Sequence, residues 1–247
     1  MLRYPTRIAL VLAVPLVTTF SLSCCDNDDA VGSQHSITDD EAAVIVANAF
    51  GSGSFTYGLT GQIEELAGIA NGGTLQKESG TQQTTLDTVT ITRSKTGVYS
   101  YNYTFHFSYG LVGSQLDVTC DMRGTYDTPD MASRDTAHAS LEFTNLSSDI
   151  LLVRGYSWRF GHQNSKAAER KSFTSDIVAT FDDISVNRTA RTVIGGTVSL
   201  TMRERFPDDF LVSLPGTFTY LDNHQAVLVI NRKAYKVNLD TAKITAD

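Results

Sequence analysis

Val98 to Leu111 reads V-Y-S-Y-N-Y-T-F-H-F-S-Y-G-L. Aromatic side chains take every second position: Tyr99, Tyr101, Tyr103, Phe105, Phe107 and Tyr109. Ser100, Asn102, Thr104, His106 and Ser108 fill the gaps. Side chains of a strand alternate between faces, so this period of two predicts one long strand with an aromatic face and a polar face. An aromatic face of that length has to be covered. We expect it to form core. A ligand wall built from Tyr99, Tyr101 and Tyr103 is the alternative, because buried tyrosine hydroxyls need partners.

Outward from this stretch the pattern repeats. Upstream, Val89 and Ile91 alternate with threonines, and Ser94-Lys95-Thr96-Gly97 reads as the turn of a hairpin. Downstream, Leu116, Val118, Cys120 and Met122 mark a third strand. Residues 126–134, with Pro129, read as a loop before a fourth strand at Ala137 to Phe143. Ile150 to Phe160 is a strand followed by a polar connection over 161–171. Phe173 to Phe181 is another, closed by Asp182-Asp183. Further strands follow over 193–206, 210–221, 226–230 and 234–239. Pro215-Gly216 predicts an edge, a bulge or a break.

Before the strands lies a different period. Thr38-Asp39-Asp40-Glu41 fits a capping box, and Ala42, Ile45, Val46, Ala49 and Phe50 continue at helical spacing up to Gly51. Leu59, Ile63 and Leu66 predict a second helix that Asn71-Gly72-Gly73 stops. Gly61 and Gly68 weaken it and suit close packing on a sheet. No helical crossover follows residue 73, so the strands pair antiparallel. The expected fold is mainly β: a large curved antiparallel meander sheet or open barrel of about ten strands, with the two-helix unit packed on it. A sandwich is the alternative. Residues 38–247 form a single domain, helical over 38–73 and sheet over 86–245.

The chain opens with Arg3 and Arg7 and an apolar run from Ile8 to Phe20, too short to span a membrane and of signal-peptide proportions. Ser21-Leu22-Ser23-Cys24-Cys25 looks like a bacterial lipobox. Leu22 at −3 favours Cys25 as the acylated residue; Cys24 is the alternative. Asp26-Asn27-Asp28-Asp29 follows and resembles the acidic export tag of Bacteroidetes-type surface lipoproteins. The C-terminal A-V-L-V-I-N-R-K-A-Y-K-V-N-L-D-T-A-K-I-T resembles the closing hairpin of uncharacterised lipoproteins of that type, with Arg232 where Gly is usual. A type I′ turn is less favoured with that residue. The resemblance implies residues 1–24 as signal peptide, 25–37 as tether, palmitate-type acylation, and an outer-membrane lipoprotein displayed on the cell surface. A periplasm-facing lipoprotein is the alternative. It implies no activity. Acyl chains anchor a protein without a spanning helix.

Without Arg3 and Arg7 the chain carries 18 basic against 27 acidic residues, which excludes the basic surface that nucleic acid requires. Cys24, Cys25 and Cys120 form neither a disulfide framework nor a zinc pattern. His35, His106, His138, His162 and His224 lack metal-ligand spacing. Cys120 sits in mid-strand, as a buried apolar residue would. Asp39-Asp40, Asp182-Asp183 and Asp208-Asp209 read as helix start and turns rather than as catalytic pairs. No catalytic residue, metal site or cofactor is expected.

One further row stands out. Arg154, Tyr156, Trp158 and Phe160 share a strand face, with His162 beyond. We expect a second core face with Arg154 at its rim; a platform that stacks on sugars or apolar ligands is the alternative. The function expected is a non-catalytic binding or interaction module of the cell envelope, with a protein, glycan or apolar partner. A carrier of an apolar ligand between sheet and helices, and a glycan-active enzyme, are the other readings.

Overall fold

A computed structural model describes residues 37–52, 58–72, 87–98, 100–166, 172–206 and 211–247. Eleven strands form one antiparallel sheet in strict sequence order, and it does not close. They are β1 (Asp87–Lys95), β2 (Ser100–Val112), β3 (Gln115–Asp127), β4 (Met131–Thr144), β5 (Ile150–Ser165), β6 (Ser172–Asn187), β7 (Thr192–Arg205), β8 (Leu211–Leu221), β9 (Gln225–Ile230), β10 (Lys233–Asn238) and β11 (Lys243–Ala246). Two helices precede them: α1 (Asp39–Phe50) and α2 (Leu59–Gly72). The expected curved meander with an N-terminal helical unit is therefore the architecture of the chain.

Both helices lie in the concavity of the sheet. Helix α1 starts in the expected capping box: the Glu41 amide donates to Thr38 Oγ1 at 3.1 Å, and the Thr38 amide donates to Glu41 Oε2 at 2.9 Å. Ala42, Ala43, Val46 and Ala47 are fully buried, and so is Asn48, whose amide returns to the Val44 carbonyl. A helix with one apolar side was expected. Instead α1 is enclosed almost all round, and its alanines let the sheet approach closely. Asp39 accepts from Asn231 at 2.9 Å, Asp40 pairs with Lys233 at 2.6 Å, and Phe50 stacks on Phe218 at 4.6 Å. Helix α2 reaches the other half of the sheet through Glu65 to Arg93 at 3.0 Å and Gln62 to Cys120 at 3.3 Å. Gly68 is held close under the guanidinium of Arg191.

The aromatic ladder on β2 faces this concavity. Tyr101, Tyr103, Phe105, Phe107 and Tyr109 are all buried, with successive ring centroids from Tyr101 to Phe107 about 6 Å apart. Tyr99 lies outside the described residues. The ladder is core, as the period of two predicts.

Five features differ from the sequence reading. The loop expected over 126–134 shrinks to residues 128–130, because the Thr128 amide and hydroxyl both bond the Met131 carbonyl and turn the chain at once. Strand β5 runs on to Ser165 instead of stopping at Phe160, since Gln163 and Ser165 point inward and are bonded there. Asp182-Asp183 does not close β6; it forms a bulge with Asp183 at φ 54°, and the strand continues to Asn187. Asn231 and Arg232 make a two-residue hairpin loop with both φ positive, so Arg232 tolerates the left-handed conformation expected to disfavour it. Pro215 sits inside a continuous β8, at the point where pairing with β9 ends.

Candidate functional site on the convex face

Strand β5 inverts the arrangement of β2. Its inward positions are Ser157, Arg159, Gly161, Gln163 and Ser165, and its outward positions carry the aromatics. The inward set is polar because it belongs to a buried network. Arg159 Nη2 donates to Asp135 Oδ2 at 2.5 Å and to the Tyr103 hydroxyl at 3.3 Å. Arg159 Nη1 reaches the Asn48 carbonyl at 3.4 Å. Ser133 donates to the other Asp135 oxygen, and Gln163 donates to Ser133. Arg159 thus meets the negative end of α1, which has no basic residue in its own last turn. Burial alone would lower the Arg159 pKa, but the Asp135 charge and the two phenols around it raise it further. Burial also pushes the Tyr103 and Tyr126 phenols up. A β carbon at Gly161 would fall 2.1 Å from Gln163 and 2.4 Å from Asp135, so only glycine leaves room for this network. These groups are shut away from solvent and hold the fold. They lay outside the sequence reading, although an Arg and a Gln in strict alternation with Ser157, Gly161 and Ser165 were its visible trace.

With polar residues facing in, the aromatics face out. The row expected as core therefore lies on the convex surface. Tyr156 is 50% exposed and Trp158 39%. Trp158 and Phe160 stack at 6.2 Å, and His162 meets Phe160 edge-on at 5.0 Å. In the sheet register Trp158 stands between His138 and Val178, itself exposed, and Tyr156 between Ser140 and Thr180. His138 packs against Tyr156 at 6.2 Å and bonds Asp121 at 2.9 Å. Single exposed apolar residues are ordinary; here three aromatics follow one another on the outer face of one strand. On the flanking strands β4 and β6 the outward positions include the hydroxyls of Thr136, Ser140, Thr174 and Thr180.

The strip ends at a constructed corner. Arg154 opposes the two bulged residues Asp182 and Asp183 and grips Asp183 at 2.6 and 2.8 Å, with Asp182 at 3.6 Å. The bidentate bond holds the Asp183 carboxyl below, and the Arg154 guanidinium above, its ordinary pKa. Gly155 follows at φ 135°, where a β carbon would strike the Ser140 carbonyl at 2.0 Å. Beside this corner lies an open groove of about 490 Å³, with Asp117, Thr119, Ser140, Glu142, Arg154 and Tyr156 among its walls.

Of the residues singled out in the sequence, Arg154, Tyr156, Trp158 and Phe160 come together in this strip; Tyr101 and Tyr103 are on the opposite side of the sheet, in the core. Cys24, Cys25 and Asp208-Asp209 lie outside the described residues. Between the helices and strands β3 to β6, a cavity bordered by Phe50, Leu59, Gln62, Cys120 and Met122 measures about 20 Å³, room for one water and no acyl chain. Cys120 donates to Gln62 there, its thiol pushed up to about 12 by burial, and so it is no nucleophile. No group of metal-ligating side chains and no helix able to cross a membrane occurs among the described residues.

No family model, curated protein or solved structure matches the chain.

Proposed function

We propose that this chain is a non-catalytic binding module of the bacterial cell envelope, held at the outer membrane by acylation of Cys25, or of Cys24, and that its convex strip takes a carbohydrate chain. The anchor and the surface location rest on the leader, the lipobox and the acidic tract. The binding reading is carried by one observation: Tyr156, Trp158 and Phe160 stand in a row outside the core, on a strand whose inner face is already committed to a buried network. Sugars present apolar C–H faces together with a rim of hydroxyls. The strip offers aromatic surface for the first, and the threonines, Ser140, His138 and the Glu142 carboxylate for the second. A net charge of −7 argues against nucleic acid as the partner.

Binding of neutral polysaccharides by the purified protein, compared with a Trp158→Ala, Tyr156→Ala double variant, tests this reading. The wild type retains a polysaccharide in affinity electrophoresis and the double variant releases it. Equal retention by both, or by neither across neutral glycans, defeats it. Metabolic labelling with palmitate, lost on replacing both Cys24 and Cys25 by Ala, tests the anchor separately.

A further inference from the structure

Glu204 on β7 points into the fold and is completely buried. Neither carboxyl oxygen has a hydrogen-bond partner among the described residues. A buried carboxylate needs a counter-ion, several hydrogen bonds or a proton. Across the sheet its neighbours are Ser175 on β6 and Val212 on β8, both uncharged. Along the same inner face, the Phe173–Phe206 pair at 5.6 Å closes one side with apolar surface. From the helices the charged groups that act on it are Glu41 and Asp39, of the same sign. Their oxygens are engaged elsewhere: Glu41 with Thr38 and Ser165, Asp39 with Asn231. They neither neutralise Glu204 nor leave a vacant ligand set for a cation. The remaining neighbour is the backbone of Ile37, the buried residue through which the chain enters α1, and its amide favours the anion without reaching hydrogen-bond geometry.

We infer that Glu204 closes the N-terminal seam of the fold as an uncharged carboxylic acid, and that loss of its proton loosens the seating of Ile37 and the first turn of α1 against β7. Burial pushes the Glu204 carboxyl up to about 8, from 4.5 in a free side chain. Below the lower value it is protonated in both folded and unfolded chains and stability is unaffected. Between the two values only the unfolded chain ionises, so unfolding releases a proton and stability falls as pH rises. Above about 8 the folded chain ionises as well and the slope ends.

Urea unfolding of the full chain in detergent, wild type against Glu204→Gln, isolates the effect. The ratio of the two unfolding constants, wild type over variant, grows about tenfold per pH unit between about pH 5 and 8 and then levels off. A ratio that stays constant over that range overturns the inference. If the variant does not fold, glutamate side-chain carbon NMR on the wild type decides: one carboxyl keeps its proton through neutral pH, whereas titration of every glutamate at ordinary values refutes it. Amide exchange supplies the local readout. After correction for base catalysis, the amides of Ala42 to Val46 exchange faster above pH 8 in the wild type than in the variant. Equal exchange would remove the loosened seam.

Discussion

Strands β2 and β5 carry the same written pattern and opposite fates. Each alternates aromatic with polar residues, yet the aromatics of β2 are buried under the helices and those of β5 stand in solvent. What separates them is the other half of each strand. On β2 the alternate residues are Asn102, Thr104, His106 and Ser108, which lie on the outer face, with His106 bonded to Thr90. On β5 they are Arg159 and Gln163, which have partners inside: Asp135, Ser133, Tyr103 and the end of α1. Alternation settles which residues share a face. Which face turns inward depends on where the polar half finds its bonds, and for β5 those bonds come from β2, β4 and α1.

The contrast can be broken most forcefully at Arg159. Removing the guanidinium leaves the Asp135 carboxylate buried without its counter-ion. Replacement by Ala should cost about 3–5 kcal/mol of stability in urea unfolding, the usual size for one partner of a buried pair. Adding Asp135→Asn to that variant should recover part of the loss, because the stranded charge is then gone. A double variant as unstable as the single one would mean that packing, not charge, fixes the inward face of β5.

On the β2 side the corresponding change is Phe107→Ala. Phe107 is fully buried and stacks on Phe105 at 6.1 Å. The lost transfer energy and the cavity left behind should together cost about 3–5 kcal/mol, read as a lower urea midpoint with an unchanged slope. A loss near zero would show that the ladder is not the packed surface it is taken to be.

Much of this fold is written locally. The β2 ladder, the hairpin turns and the Thr38 capping box each sit within a few consecutive residues, so their physics is legible in the sequence. Residues that act across the sheet are not. Asp135 and Arg159 are separated by a full hairpin, and nothing near Asp135 in the chain announces its partner. Glu204 reads as one more charge in R-E-R, although register alone turns it inward between Arg203 and Arg205. The Asp182-Asp183 pair looks like a turn because both residues suit turns; it is a bulge because Arg154 grips it from β5. For the convex strip, its membership was legible and its direction was not.

A smaller effect tests whether α1 is held by its own start. Thr38 makes both halves of the capping box. Thr38→Ala should lower stability by about 1 kcal/mol. Thr38→Ser keeps the acceptor oxygen and should recover most of it, measured on the same urea curves. A loss equal in both variants would point to the methyl group and to packing instead of the cap.

The smallest change in stability belongs to the outer row, and there the smallness is the point. Trp158 is the one tryptophan in the chain, and its neighbours are the His138, Val178 and Phe160 side chains on an open surface. Trp158 keeps 39% of its surface exposed and covers only its neighbours on the outer face, not the core. Trp158→Ala should therefore cost less than about 1 kcal/mol, the scale of cross-strand pairs, against several for Phe107→Ala, although both remove a ring from an alternating strand. Binding should move the other way. If the strip holds a glycan, Trp158→Ala weakens retention of the polysaccharide while Phe107→Ala, in the fraction that folds, leaves it intact. A Trp158→Ala chain that binds as well as the wild type would deprive the strip of that role.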